Sequence, residues 1–124
     1  MDDMVEGYIE AALWAGNDWS AIGDKDNPDP LDENYGVEDV EADTVAEIRE
    51  DCQDFADANA ADLETYCETY DMSHAGHDFY LTRNGHGAGF WYCGIDAGDR
   101  LSDAAKAYGP DELDSTPQGT VARM

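Results

Sequence analysis

Seven acidic residues, Asp43, Glu47, Glu50, Asp54, Asp57, Glu64 and Glu68, recur at steps of three, four or seven along one stretch of the chain. On a helix, side chains three or four positions apart stand about 5–6 Å from one another on one face, so these carboxylates would form a single row. A row of fixed anions has a definite chemistry. It accepts charge-assisted hydrogen bonds from arginine and lysine, the same bonds those side chains give to phosphate. Glu47, Glu50, Asp54, Asp57, Glu64 and Glu68 are therefore the leading candidates for partner contact. Asp24, Asp26 and Asp29 lie in a segment rich in Asp, Asn, Pro and Gly and make a second acidic patch.

A different group, His74, His77 and His86, with Asp78 and Cys93 nearby, has the residue types of a zinc site. The unpatterned spacing and the intervening glycines argue for the plainer alternative, in which His77 or His86 fixes a turn by hydrogen bonds. Asp78, Arg83, Asn84 and His86 bring an acid, an anion clamp and a base close together in sequence, which is the raw material of hydrolysis. No nucleophile elbow or phosphate loop accompanies them, and Gly85-x-Gly87-x-Gly89 opens no helix as a dinucleotide fingerprint must. No catalytic residue, metal ligand or cofactor is assigned from these motifs. Arg83 is expected to pair internally with one of the many acids.

The carboxylate row needs a helix to hold it. Val45, Ile48, Cys52, Phe55, Asn59, Leu63, Tyr66 and Tyr70, spaced by three or four and in antiphase with the acids, predict one long helix over residues 43–70, bent near Asn59. About 27 residues rise about 40 Å, which is the axial length of about a dozen base pairs at about 3.4 Å each. Val5, Tyr8, Ile9, Ala12 and Leu13 predict a first helix over residues 2–15, stopped by Gly16 and Asn17. Turn residues dominate positions 18–36, pinned by Trp19, Ile22, Leu31 and Tyr35.

Downstream, Asn84-Gly85 between two aromatic-rich runs, 77–83 and 86–92, predicts a hairpin with a type I′ turn, with Gly87 and Gly89 alternating along one face. Leu101, Ala104, Ala105 and Tyr108 predict a short helix over residues 99–108, closed by Gly109-Pro110, and the tail from Asp111 carries few core residues. The expected fold is one acidic α+β domain over residues 1–124, with two or three helices packed on a small antiparallel sheet containing the Asn84-Gly85 hairpin.

The composition bears on partners. Thirty acidic against six basic residues give a net charge of −24, and the hydrophobic share of 42% is ample for a core in a chain of 124 residues. Residues 38–71 alone hold thirteen acids against Arg49, a net of −12. Such a surface repels phosphate backbones and anionic lipid, so neither direct nucleic-acid binding nor membrane binding is expected. The acidic amino terminus, Met1-Asp2-Asp3, lacks the Lys or Arg of a signal peptide, and Cys52, Cys67 and Cys93 form no paired motif. These features lead us to expect a cytoplasmic protein with reduced thiols.

Like charges at i, i+4 destabilise a helix by a few tenths of a kcal/mol per pair, on the order of 0.3. A basic partner would offset that repulsion, and so would a salty environment. Nucleic-acid mimicry and salt adaptation are thus the two readings of the charge, beside a plain solvated coat.

The run over residues 75–91, AGHDFYLTRNGHGAGFW, resembles a segment of small, acidic bacteriophage proteins, and residues 8–14 (YIEAALW), 30–35 (PLDENY) and 51–55 (DCQDF) are similar to the same family. In the family pattern the tryptophan is followed by Asp-Arg, where this chain has Tyr92-Cys93. The resemblance carries no activity or catalytic residues with it. What it implies is a phage origin and, by analogy, counter-defence. The chain would be a non-enzymatic inhibitor of anti-CRISPR or anti-restriction type, acting in the host cytoplasm on a basic nucleic-acid-binding protein or complex of the host.

Overall fold

The computed structural model describes residues 2–18, 29–85, 89–90 and 96–123. Helix α1 (Asp3–Ala15) starts at Asp2, whose carboxylate accepts from the Met4 amide at 3.0 Å, and it buries Val5, Tyr8, Ile9, Ala12 and Leu13 as their spacing predicts. Strand β1 (Asn17–Asp18) pairs antiparallel with β2 (Asp29–Pro30), and a short helix α2 (Leu31–Asn34) and a 3-10 turn (Val37–Asp39) lead into α3 (Ala42–Ala58). Helices α4 (Ala60–Tyr66), α5 (Met72–Arg83) and α6 (Asp96–Lys106) follow. The chain ends in a second antiparallel ribbon, β3 (Leu113–Ser115) with β4 (Val121–Arg123).

This architecture corrects the expected one. Among the described residues there are six α-helices, not two or three, and the strands form two separate two-stranded ribbons with no sheet for the helices to pack on. The predicted Asn84-Gly85 hairpin is absent. Residues 72–83 are helical, and Asn84 and Gly85 end that helix, the Gly85 amide donating to the Thr82 carbonyl at 3.2 Å with φ +71°. Asn-Gly supplies a residue that enters the left-handed region cheaply, and a helix end uses that property as readily as a type I′ turn does.

The misreading of residues 77–83 has a physical cause. Ala75, Gly76, Asp78, Phe79, Tyr80, Thr82 and Arg83 are buried, so the inner side of α5 carries an acid, a hydroxyl and a guanidinium, while its open side carries Leu81 beside His74 and His77. Polarity therefore does not follow burial around this helix, and the 3.6-residue alternation that marks an amphipathic helix is missing. Its start was nevertheless encoded: Asp71 caps α5, accepting from the His74 amide at 2.8 Å.

Helices α1 and α5 cross in close backbone contact. A Cβ on Gly7 would stand 2.0 Å from the Ser73 carbonyl oxygen, and one on Gly76 would stand 2.0 Å from that of Met4. Only glycine allows two helix backbones to approach so far. Around this crossing, Phe79 stacks on Phe55 at 4.4 Å between ring centroids and meets Tyr8 at 5.6 Å, while Phe55 also stacks on Phe90 at 5.5 Å. The buried apolar side chains of α1, α3, α4, α5, α6 and the terminal ribbon join in one cluster.

The predicted helix over residues 43–70 is interrupted where a bend was expected. Asn59 leaves helical geometry at φ −124° and ψ 29°, and its side-chain amide donates to the Phe55 carbonyl at 2.9 Å, dividing α3 from α4. The tail is anchored through its ribbon. Val121 is buried, its carbonyl accepts from the Glu41 amide at 2.8 Å, and the Arg123 amide donates to the Thr44 hydroxyl at 3.2 Å, so β4 docks on the start of α3.

Candidate functional site

Helix α3 turns Ile48, Cys52 and Phe55 into the core and leaves Asp43, Glu47, Glu50, Asp54 and Asp57 exposed at alternating steps of four and three. Those fourteen residues of separation correspond to a rise of about 21 Å. The carboxylate row is therefore continuous over α3 alone. Glu64 lies on α4 and Glu68 in the turn beyond it, both exposed, past the interruption at Asn59. The expected rod of about 40 Å is replaced by one straight row and two further carboxylates on another element.

The members of the row differ in their surroundings. Glu50, Glu64 and Glu68 are exposed, and among the described residues no ion pair neutralises them. Glu47 lies 3.5 Å from an Arg123 nitrogen, at the rim of the interior network. Asp57 accepts from the Gln53 side-chain amide at 2.9 Å. Asp54 accepts a short hydrogen bond from the Tyr108 hydroxyl; burial, and then that bond, hold the Tyr108 phenol above its ordinary range. A hollow of about 470 Å³ opens between Ala46, Arg49, Glu50, Gln53 and Asp54. Asp24 and Asp26 of the second patch lie outside the described residues, and of Asp29 the structure describes only the backbone, in β2.

A buried ionic network beneath α3 holds the row in place. Arg83 donates to Asp51 at 3.1 Å, to the Tyr8 hydroxyl at 3.2 Å, and to the backbone carbonyls of Gly109 and Tyr108 at 2.8 and 3.1 Å. Arg123 donates to Asp51 at 2.6 Å and to both oxygens of Asp111 at 2.7 and 2.9 Å, while Tyr8 donates to Asp111 through another short bond. Burial opposes the charge on Arg123, but the bonds to Asp111 and Asp51 outweigh it and push the guanidinium pKa up. Burial, then the Asp111 charge, pushes the Tyr8 phenol far up. The internal pairing expected of Arg83 is present; the part played by Arg123 was not foreseen, since a lone cation near the end of an acidic chain carries no spacing signal.

On the surface between α4 and α6, Arg100 grips Asp62 with nitrogens at 2.8 to 3.1 Å, and this bonding holds the Asp62 carboxyl below its ordinary range. Arg83, Arg100 and Arg123 are thus committed to acids of the chain itself. That leaves Arg49 and Lys106 as the basic side chains without an ion pair among the described residues.

The histidines separate. His77 faces α1, its Nε2 3.4 Å from Glu10, whereas His74 and Asp78 meet one turn apart on α5 at 3.2 Å. The Tyr66 hydroxyl donates to Asp78 at 2.7 Å and lies 2.5 Å from His74 Nδ1, and Tyr70 stacks on the imidazole at 4.8 Å between centroids. This Tyr66–His74–Asp78 cluster joins α4 to α5. Its i, i+4 spacing was visible, but only once residues 72–83 are taken as helix. His86 and Cys93 lie outside the described residues, and among the described ones no three His, Cys, Asp or Glu side chains converge as a metal site requires. The other residues considered for hydrolysis serve separate tasks: Arg83 sits in the buried network, and Asn84 closes α5 while its side-chain oxygen accepts from the Asp111 amide at 2.8 Å.

Cys52 is buried, as its place in the apolar stripe predicts, and burial, then the Asp2 and Asp51 charges, pushes its thiol up to about 12. No described helix is long and apolar enough to cross a membrane. Comparison with family models, with curated proteins and with solved structures found no match to this chain, so the phage resemblance rests on the quoted sequence segments alone.

Proposed function

We propose that this chain binds a basic, nucleic-acid-binding protein through the carboxylate row of α3, occupying the surface that a phosphate backbone would otherwise take. It acts by binding and not by catalysis. If the phage resemblance holds, the target is a host defence protein of the CRISPR or restriction type. The observation that carries this reading is the run of five exposed carboxylates, Asp43 to Asp57, on one helix face that the core and the Arg83–Arg123 network hold rigid. Rigidity matters because anions already held in place lose little freedom on binding. The mean axial step of about 5 Å along the row is wider than the 3.4 Å or so between phosphates of one strand. The row therefore offers fewer charges than DNA over the same length, and Glu50 and Asp54 with the hollow beside them add shape to the charge.

The test is competition. The protein captures partners from a host lysate, a salt gradient elutes them, and duplex DNA is titrated against the complex of each. The expected result is a captured nucleic-acid binder that DNA displaces, and a variant with Glu50→Gln, Asp57→Asn, Glu64→Gln and Glu68→Gln that no longer captures it. This variant spares Glu47 and Asp54, which bond to Arg123 and Tyr108. Undiminished capture by it, or indifference of the complex to DNA, would refute the reading.

A further inference from the structure

Trp14 is the one large hydrophobic side chain exposed among the described residues, at 64%. It stands in the last turn of α1 and, with Ala11 and with His77 and Leu81 of α5, lines a hollow of about 330 Å³. Contacts along the two helices advance together, Gly7 at Ser73, Glu10 at His77 and Trp14 beside Leu81, so α1 and α5 run in the same sense. Their carboxyl ends, the negative poles of both helix dipoles, consequently lie at the same end of the groove; α1 has no basic residue in its last turn, and Arg83 in the last turn of α5 is buried against Asp51 and Asp111. Glu6, Glu10 and Trp14 follow one another at steps of four and share one face of α1, with Glu6 and Glu10 exposed. The groove is thus apolar at its floor and anionic along its approach.

Charge selects what can cover such a groove. A second copy brings another −24 and is repelled, as are anionic lipid and nucleic acid. A cationic segment is attracted, and an exposed tryptophan beside a hollow is the usual form of an interaction anchor. We propose that the α1–α5 groove seats a basic amphipathic helix of the partner protein, an apolar side chain entering the hollow against Trp14 while lysine or arginine side chains reach Glu6 and Glu10. The inference rests on the proposal that the partner is basic, but it uses residues that contribute nothing to the α3 row.

The full-length protein is titrated calorimetrically, at an ionic strength of about 0.15 M, with two probes. One is a synthetic leucine–lysine amphipathic helix of about four turns; the other is oligolysine of the same charge. Trp14→Ala, checked for unchanged circular dichroism, is expected to weaken the amphipathic probe about tenfold or more and to leave oligolysine unchanged. Equal affinity of wild type and Trp14→Ala for the amphipathic probe overturns the proposal. If the α3 variant described above abolishes partner capture while Trp14→Ala changes neither capture nor probe binding, the groove fails and the carboxylate row stands. Loss with Trp14→Ala alone supports the groove and removes the row. A dimer in sedimentation that Trp14→Ala dissociates would make the occupant a second copy, which also overturns the proposal.

Discussion

Replacing Gly76 by alanine places a methyl carbon 2.0 Å from the Met4 carbonyl oxygen and 2.6 Å from the Tyr8 amide nitrogen. Both obstacles are helix backbone, so neither can rotate away. To reach a contact distance of about 3.5 Å the helices must separate by about 1.5 Å, and a radial gap of about 1 Å already forfeits up to half of each dispersion contact. The contacts at stake are those of Met4, Val5, Tyr8, Phe79 and Tyr80, all buried at or near the crossing. Overpacking of this kind costs about 1–3 kcal/mol and sometimes more, and backbone on both sides puts it at the upper end. Alanine gains about 1 kcal/mol over glycine inside a helix. The net expectation is a loss of about 2 kcal/mol, or about 8 °C in Tm for a chain of this size. Urea unfolding followed by circular dichroism measures it. Gly7→Ala should cost a similar amount, and the double variant less than the sum, because one separation of the helices relieves both clashes. A Gly76→Ala protein as stable as wild type, or strict additivity in the double variant, would refute the close crossing of α1 and α5.

Three further outcomes follow from the interior. Arg83→Met leaves Asp51 and Asp111 with half their cationic partners in a buried site, and is expected to cost about 3–5 kcal/mol in urea unfolding, whereas Arg49→Met on the exposed face of α3 should change stability by no more than about 0.5 kcal/mol. The phenol of Tyr8 and the thiol of Cys52 both have raised pKa values, so the folded state keeps protons that the unfolded chain loses first. Stability is then complete below the ordinary thiol and phenol values of 9.0 and 10.0 and falls as pH rises through and beyond them. Unfolding measured from pH 8 to 11, with Tyr8→Phe flattening the alkaline decline, checks the sign. Iodoacetamide should modify exposed Cys67 in the native protein and Cys52 only on unfolding, read by mass spectrometry of the peptides, even though burial and the Asp71 charge raise the Cys67 thiol as well.

The elements with two distinct faces were legible in the chain. The stripes of α1 and α3 and the buried Leu101 and Ala105 of α6 fall where their spacing puts them, and the alternation that marks the buried side also marks the carboxylates of α3 as outward. Asn59 was legible as a bend, and the structure makes it a full interruption, which halves the length of the acidic row. What the sequence could not disclose was α5. Its buried side carries Asp78, Thr82 and Arg83 and its open side Leu81, so polarity does not mark its faces, and its Asn84-Gly85 end is chemically equivalent to a hairpin turn. Mistaking it turned a helical molecule into an α+β one.

Composition and spacing by themselves determined that this protein is strongly acidic, that its acids are concentrated before residue 72, and that they lie opposite an apolar stripe. Those properties are set by covalent order and by the 3.6-residue repeat, which act locally. Tertiary structure alone decided which acids are spent internally. Asp51 and Asp111 are as acidic in sequence as Glu50, yet they meet Arg83 and Arg123 across 32, 72, 28 and 12 residues of chain and become part of the scaffold, while Glu50 stays in water. Distance along the chain carries no information about such pairings. They exist because packing α1, α3, α5 and the terminal ribbon around one core brings those groups to within a hydrogen bond of one another.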